Sequence, residues 1–150
     1  MTFAPATGAL RAQHRPRLMT ETRAPVRLRV ARATRQLERV VEFYRDGLGF
    51  AIVDRFEEHA GYSGVILALP GGAQLEITQH ARGRPNTAPD TDDLLVLYLP
   101  SRAHLRRLRN RLERLGYVCV QPVNPYWLDK SFTFEDPDRW RVVFCDATSL

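Results

Sequence analysis

The chain contains the same order of strand-like and helix-like patterns of apolar residues twice. Between residues 26 and 33 they alternate, which predicts a strand. After Thr34, a residue type common at helix N-caps, apolar residues recur at helical spacing, and Gly47 or Gly49 ends the predicted helix. Turns rich in glycine or proline then separate three further predicted strands: Phe50–Glu57, Tyr62–Leu69 and Ala73–His80.

The same order of patterns begins again after residues 81–92. These residues show neither strand-like nor helical periodicity and are predicted to be a linker. Ser101 is the predicted N-cap of a second helix with a leucine face. The strands predicted around it are Leu94–Leu99, Tyr117–Pro122, Ser131–Glu135 and Trp140–Asp146. Both helices end in Leu-Gly-aromatic, so we interpret the chain as a duplicated βαβββ module in an α+β fold. The modules span about residues 26–80 and 93–147.

Charge is unevenly distributed over the 150 residues, whose net charge is +5. Residues 1–25 carry a local +3 and no period, which predicts a poorly ordered N-terminal extension. Residues 101–116 carry a local +5, and the remainder of the chain is therefore at −3. Because the basic residues lie on an extension and one helix, they indicate a solvated face, and nucleic acid is not an expected partner.

Three further features place the protein in a cellular compartment. No apolar run approaches the roughly 20 residues of a membrane-spanning helix, so no membrane association is expected. An apolar segment typical of secretory signals is absent after the N-terminal arginines. The chain has only 2 cysteines, too few for a disulfide framework. We therefore expect a cytoplasmic protein.

Two motifs resemble the vicinal-oxygen-chelate superfamily, which includes glyoxalase I, extradiol dioxygenases, and bleomycin- and fosfomycin-resistance proteins. The sequence FYRDGLGF at residues 43–50 resembles the end of the first helix of that superfamily. Asp136-Pro137-Asp138 resembles the turn before its last strand. The resemblance covers residues 26–147 and implies two paired βαβββ modules whose curved sheets form a cup, with the helices outside and a ligand inside.

The resemblance also implies where metal ligands would stand. The superfamily places His, Gln or Glu on the first and last strands of each module. Those positions hold Arg29, Glu76, Leu94 or Val96, and Val143 in this chain. Glu76 alone is a metal ligand, and one carboxylate cannot hold a divalent cation against its hydration. We therefore expect a branch of the superfamily without a metal or another cofactor.

Strand alternation indicates which side chains line the cup. Apolar residues that alternate with them are expected to pack beneath the helices. Aromatic residues of a loop at the cup mouth are suited to stacking on a flat ligand. The candidate ligand-binding residues are Arg29, Glu76, Thr78, His80, Tyr98, Tyr126, Trp127 and Arg141.

The predicted charge of the cup depends on three of these residues. The resemblance implies that the first and last strands of a module are neighbours, so Arg29 and Glu76 are expected to face each other within reach of an ion pair. Arg141 adds a second positive charge, so the three groups sum to about +1 and favour an anionic or electron-rich ligand. The alternative is that Arg29 and Glu76 form a purely structural pair.

These expectations define two functions of different classes. The first is metal-independent binding of a small organic molecule, in the manner of the resistance proteins that sequester drugs. The second is an enzyme, namely a glyoxalase-like lyase, isomerase or dioxygenase with unorthodox ligands. Uncovered edge strands favour a homodimer in either case.

Overall fold

Each half of the chain folds into one four-stranded mixed sheet and one helix. The computed structural model describes residues 26–83 and 89–147, so the predicted N-terminal extension lies outside the described residues. The N-terminal module consists of β1 (Arg29–Ala33), α1 (Leu37–Glu42), β2 (Ile52–His59), β3 (Tyr62–Ala68) and β4 (Gln74–His80). The C-terminal module consists of β5 (Leu94–Leu99), α2 (Arg102–Arg114), β6 (Cys119–Val120), β7 (Ser131–Glu135) and β8 (Arg141–Asp146).

The two sheets have the same strand order, β1-β4-β3-β2 and β5-β8-β7-β6. In each sheet the first and last strands of the module pair in parallel, and the other pairs are antiparallel. The structure thus confirms the α+β class and the two βαβββ modules that form the cup. No helix in the described ranges has the length and apolar character needed to cross a membrane.

One hydrophobic core joins the helices to both sheets. Alternate residues of the central strands point to the helices, and both helices contribute their apolar faces. Aromatic residues of both modules belong to the same cluster, so the modules share their core. Its fully buried members include Val40, Val41, Phe43, Leu67, Leu75, Ile77, Leu112, Phe134, Val142 and Phe144.

The motif at residues 43–50 forms the contact between the helices. After α1 the chain makes a π-helical turn over Phe43–Gly47. Gly47 is required there because a Cβ atom at this position would lie 2.8 Å from Cδ2 of Leu112 on α2. Phe43 packs edge-to-face on Tyr117 with ring centroids 4.8 Å apart. The residues of this motif, which resemble the superfamily, thus lie where the two helices pack together.

A buried polar network links β1 to the Asp-Pro-Asp turn of the other module. Arg32 forms an ion pair with Asp136, and its Nη1 lies 3.6 Å from Oδ2 of Asp138. The Tyr44 hydroxyl donates to Oδ2 of Asp136 at 3.0 Å, and the Trp140 backbone N–H donates to Oδ1 at 3.0 Å. Burial raises the pKa of Tyr44 and of Asp136 above their ordinary values, although Arg32 opposes both shifts.

The start of α1 differs from the predicted one. Thr34 is not the N-cap, because α1 begins at Leu37 and Gln36 precedes it with a non-helical backbone. The Thr34 hydroxyl accepts a hydrogen bond from the Gln36 backbone N–H at 3.0 Å instead. Oε1 of Gln79, on β4, accepts from the Leu37 backbone N–H at 2.9 Å. A side chain distant in sequence therefore satisfies the helix N-terminus.

The structure confirms the predicted start of the second helix and shortens one predicted strand. Ser101 is the N-cap of α2, and its hydroxyl accepts from the His104 backbone N–H. The strand predicted at Tyr117–Pro122 is much shorter, since β6 contains only Cys119 and Val120.

Candidate functional site

In each sheet, successive residues of a strand point alternately to the helices and into the cup. In β4, Leu75 and Ile77 are buried under the helix, while Glu76 and Thr78 alternate with them and are half-buried. Ile77 pairs with Val65 of β3, which is also buried, so neighbouring strands keep the same faces. The alternation that predicted the lining of the cup is therefore present in the N-terminal module.

Arg29 lies on this cup face and binds two residues of β4. It stands opposite Gln74 in the parallel register of β1 and β4. Its Nε donates to Oε1 of Gln74 at 2.9 Å, and its Nη1 donates to Oε2 of Glu76 at 3.1 Å. The predicted contact with Glu76 is present, but it is diagonal because Arg29 faces Gln74. The Arg29 side chain is 47% exposed and that of Glu76 20%, so solvent reaches the pair.

Arg141 is not a free cation, because it is paired with a carboxylate. Its Nε lies 3.1 Å from Oε1 of Glu135, the residue opposite it on β7. The Arg141 side chain is only 10% exposed, and its Nη1 lies 3.5 Å from the Gln121 carbonyl oxygen. The expected charge omitted Glu135. Glu135 also pairs with Arg139, whose Nε lies 3.8 Å from Oε2 of Glu135, so two guanidinium groups share this carboxylate.

The cup face of the C-terminal module is closed. Val143 and Cys145, which alternate with the helix-facing residues of β8, have 0% exposure, and Thr133 beside them on β7 has 1%. Burial raises the pKa of the Cys145 thiol, which makes it a poor nucleophile. Tyr98 is the exception, since it stands opposite Cys145 on β5 and is 41% exposed. The accessible cup face therefore belongs mainly to the N-terminal module.

His80 lies at the end of β4, away from the Arg29 pair. Its ring packs edge-to-face on Tyr62 with centroids 4.6 Å apart. Its Nδ1 accepts a hydrogen bond from the Arg82 backbone N–H at 3.1 Å. These two contacts hold the imidazole as a packed residue at the rim of the cup.

Tyr126 and Trp127 form an edge-to-face pair on the short helical turn before β7, with ring centroids 4.8 Å apart. Oδ1 of Asn124 accepts from the Tyr126 backbone N–H at 2.9 Å and fixes the turn. Nζ of Lys130 lies 3.2 Å from the centroid of the Tyr126 ring. Because Tyr126 is 55% exposed, its ring presents an aromatic surface beside a positive charge.

Sequence reasoning left two residues out of the site. Gln74 alternates onto the same face as Glu76, so parity alone placed it beside Arg29. Glu135 alternates with Phe134, and the burial of Phe134 on the helix side puts Glu135 on the cup face. The signal for Glu135 was weaker because alternation puts Phe132 and Phe134 on one face of β7 and Glu135 on the other, without showing which face lines the cup.

The residues at the family's metal positions do not fit a divalent cation. Among the residues that the structure describes, no three His, Cys, Asp or Glu side chains come together as a metal-binding group. The one carboxylate at these positions, Glu76, is bound by the Arg29 guanidinium. A cation there would meet one shared carboxylate and a fixed positive charge.

Both modules match known sequence families. Residues 28–78 match the YycE-like N-terminal domain, and residues 92–146 match the YycE-like C-terminal domain. The "Uncharacterized protein YycE" of Bacillus subtilis (strain 168) is 39% identical over 124 residues, which cover 82% of this chain and 89% of that protein. This chain belongs to the YycE-like family. The solved B. subtilis YycE structure has a TM-score of 0.77 at 39% identity, over 81% of this chain and 89% of that one.

More distant solved structures share the fold of this YycE-like chain, which is the fold that the superfamily resemblance implies. A glyoxylase/bleomycin resistance protein/dioxygenase domain from Frankia sp. EAN1pec has a TM-score of 0.64 at 21% identity, covering 81% of this chain and 90% of that one. The Leishmania major glyoxalase I has a TM-score of 0.67 at 14% identity, covering 84% and 89%. At these identities the likeness concerns the fold, so function has to be inferred from the site.

Proposed function

We propose that this YycE-like protein binds a small organic molecule in the cup without a metal ion. One observation carries the proposal, namely that Arg29 stands at a metal position of the superfamily and binds Glu76, the only candidate ligand there. The Arg29 guanidinium supplies a fixed, solvent-accessible positive charge at the position where the superfamily holds a metal cation. Such a group binds carboxylates through two parallel hydrogen bonds.

The proposed ligand is anionic or electron-rich, and Arg29 is its anchor. Arg141 cannot serve this purpose because Glu135 neutralises it and the side chain is buried. Gln74 holds Nε of Arg29, while Nη1 is shared with Glu76. A ligand carboxylate would compete with Glu76 for the guanidinium, and Thr78 on the same face offers a hydroxyl. The exposed rings of Tyr98 and Tyr126 are the proposed stacking surfaces, with Trp127 supporting the latter.

Arg29→Met tests the anchor and separates recognition from stability. Because the ion pair is open to solvent, we expect the free energy of unfolding to fall by about 1 kcal/mol or less. Affinity for aromatic carboxylates should fall about tenfold, since a charge-assisted bidentate contact is lost. Calorimetric titration with matched carboxylates and amides, and denaturant unfolding, measure the two quantities.

Arg109→Met is the matched control, because Arg109 forms a solvent-exposed ion pair with Glu113 on α2 and contributes the same charge outside the cup face. This variant should bind the carboxylates as the parent does. If the parent binds carboxylates and the corresponding amides equally well, the charge-based recognition is wrong. If Arg29→Met instead lowers stability strongly and leaves affinity unchanged, the pair is structural.

Elemental analysis of the purified protein tests metal independence. We expect no stoichiometric zinc, nickel, manganese or iron after dialysis, because the donor set at the metal positions is inadequate. A transition metal that survives dialysis at one per chain would contradict the proposal. That result would favour the lyase, isomerase or dioxygenase alternative.

We also propose a cytoplasmic homodimer. The strands β2 and β6 end their sheets, and Ile52 and Val53 on β2 are 36% and 50% exposed. The exposed apolar residues at the start of this edge strand favour association with a second copy. Light scattering on the full chain measures the molar mass, and a monomer at all concentrations would contradict the dimer.

A further inference from the structure

The outer flank of α2 carries a stripe of basic side chains far from Arg29 in the fold. Leu105, Leu108 and Leu112 form the buried face of the helix. Positions 104, 107, 111 and 114 follow the helical repeat along one side of that face. They are occupied by one histidine and three arginines: His104, Arg107, Arg111 and Arg114. All four line one cavity of about 420 Å³.

The cavity has an apolar floor and one close backbone contact. Leu48 from the exit of α1, Leu99 from the end of β5 and Leu108 of α2 belong to its lining. Gly49 has φ +80, and a Cβ atom there would lie 3.6 Å from Nη2 of Arg111. That distance is an ordinary van der Waals contact, so the positive φ favours glycine at this position, and the Arg111 guanidinium lies beside the chain at the exit of α1.

The arginines of this cavity lack acidic partners within residues 26–83 and 89–147. Glu113, the one acidic residue of α2, lies 2.8 Å from Nε of Arg109, outside the cavity. Asp146 lies 3.6 Å from Nε of Arg102, at the other end of the helix. Three guanidinium groups thus face one concave surface with their charge uncompensated, an arrangement that repels cations and attracts multivalent anions.

We infer that this cavity binds a phosphorylated small molecule, with the phosphate on the guanidinium groups and an apolar part on the leucines. Guanidinium forks match the geometry of phosphate oxygens and bind them bidentately. The volume is that of a small-ligand site. A nucleic acid backbone fits less well, because it needs an extended basic band, and the remaining α2 arginines are paired or line a different cavity.

Titration of the full chain with phenyl phosphate tests the inference. We expect saturable binding that is tighter than that of inorganic phosphate, because the leucine floor contacts the ring. Arg111→Met should weaken phenyl phosphate binding about tenfold, and Arg111→Lys should weaken it less, since it keeps the charge and loses the fork. Arg114→Met, at the exposed end of α2, should also weaken binding.

Arg106→Met is the matched control, because it removes the same charge from the same helix and Arg106 lines another cavity. Its affinity should stay within about twofold of the parent. Arg29→Met should leave this binding unchanged, which distinguishes the cavity from the cup. The inference is overturned if neither phenyl phosphate nor pyrophosphate binds, if Arg106→Met weakens binding as much as Arg111→Met, or if only duplex DNA binds. Melting temperatures of all variants confirm that they are folded.

Discussion

Arg32→Met is expected to lower the free energy of unfolding by about 3–5 kcal/mol, because it removes one partner of a buried ion pair. The Arg32 side chain is 8% exposed and that of Asp136 0%. Without the guanidinium, the Asp136 carboxylate stays buried with only Tyr44 and backbone N–H groups as donors. Denaturant unfolding followed by tryptophan fluorescence measures the loss.

The pH dependence of this variant identifies the cause. Burial already raises the pKa of Asp136, and the loss of Arg32 removes an opposing charge, so the pKa rises further. A carboxyl with a higher pKa in the folded chain binds more protons there, and stability increases as the pH falls toward that pKa. The deficit of Arg32→Met should therefore be smaller at about pH 5 than at about pH 7.

Two further variants test whether the unpaired buried carboxylate of Asp136 causes the loss of stability. Adding Asp136→Asn to Arg32→Met should restore part of the stability, because the unpaired charge is gone. Arg45→Met breaks the ion pair with Asp46, whose side chains are 45% and 41% exposed, and should leave stability almost unchanged. A loss below about 1 kcal/mol in Arg32→Met would show that the network does not hold the modules together.

Leu112→Ala should lower the free energy of unfolding by about 2–5 kcal/mol, because Leu112 is fully buried at the contact between the helices. Its Cδ2 packs where Gly47 has no Cβ atom, so a shorter side chain leaves a cavity that the rigid turn cannot fill. Because both modules share the core, unfolding should remain a single transition. Fluorescence and far-ultraviolet circular dichroism should follow the same curve.

Leu115→Ala is the control on the same helix. Leu115 is 51% exposed, so its truncation should change stability by no more than about 0.5 kcal/mol. Two separate transitions in Leu112→Ala would contradict a shared core. Equal losses in Leu112→Ala and Leu115→Ala would contradict the packing described for α2.

Much of the fold could be predicted from local periodicity. Alternation in β4 and the leucine spacing of α2 reflect which face each element buries, whereas β8 is buried on both faces. The α1 N-terminus was not predictable in the same way. Thr34 is a suitable cap by type, but Gln79 reaches Leu37 from a strand 42 positions later, and only the sheet brings it there.

The candidate site likewise combines contacts that the sequence predicts with contacts that only the fold establishes. Strand parity, together with the strand order that the superfamily resemblance implies, predicted the contact of Arg29 with Glu76. The pairing of Arg141 with Glu135 depends on the antiparallel register of β7 and β8, which neither strand specifies alone. Arg32 shares its strand face with Val30, and its burial depends on Asp136 from the other module, 104 positions away. The sequence by itself determined which faces are apolar and where helices and strands form, because those preferences are local. Only the tertiary structure decided which charges are neutralised and which stay open to a ligand, because an ion pair depends on distances that folding alone establishes.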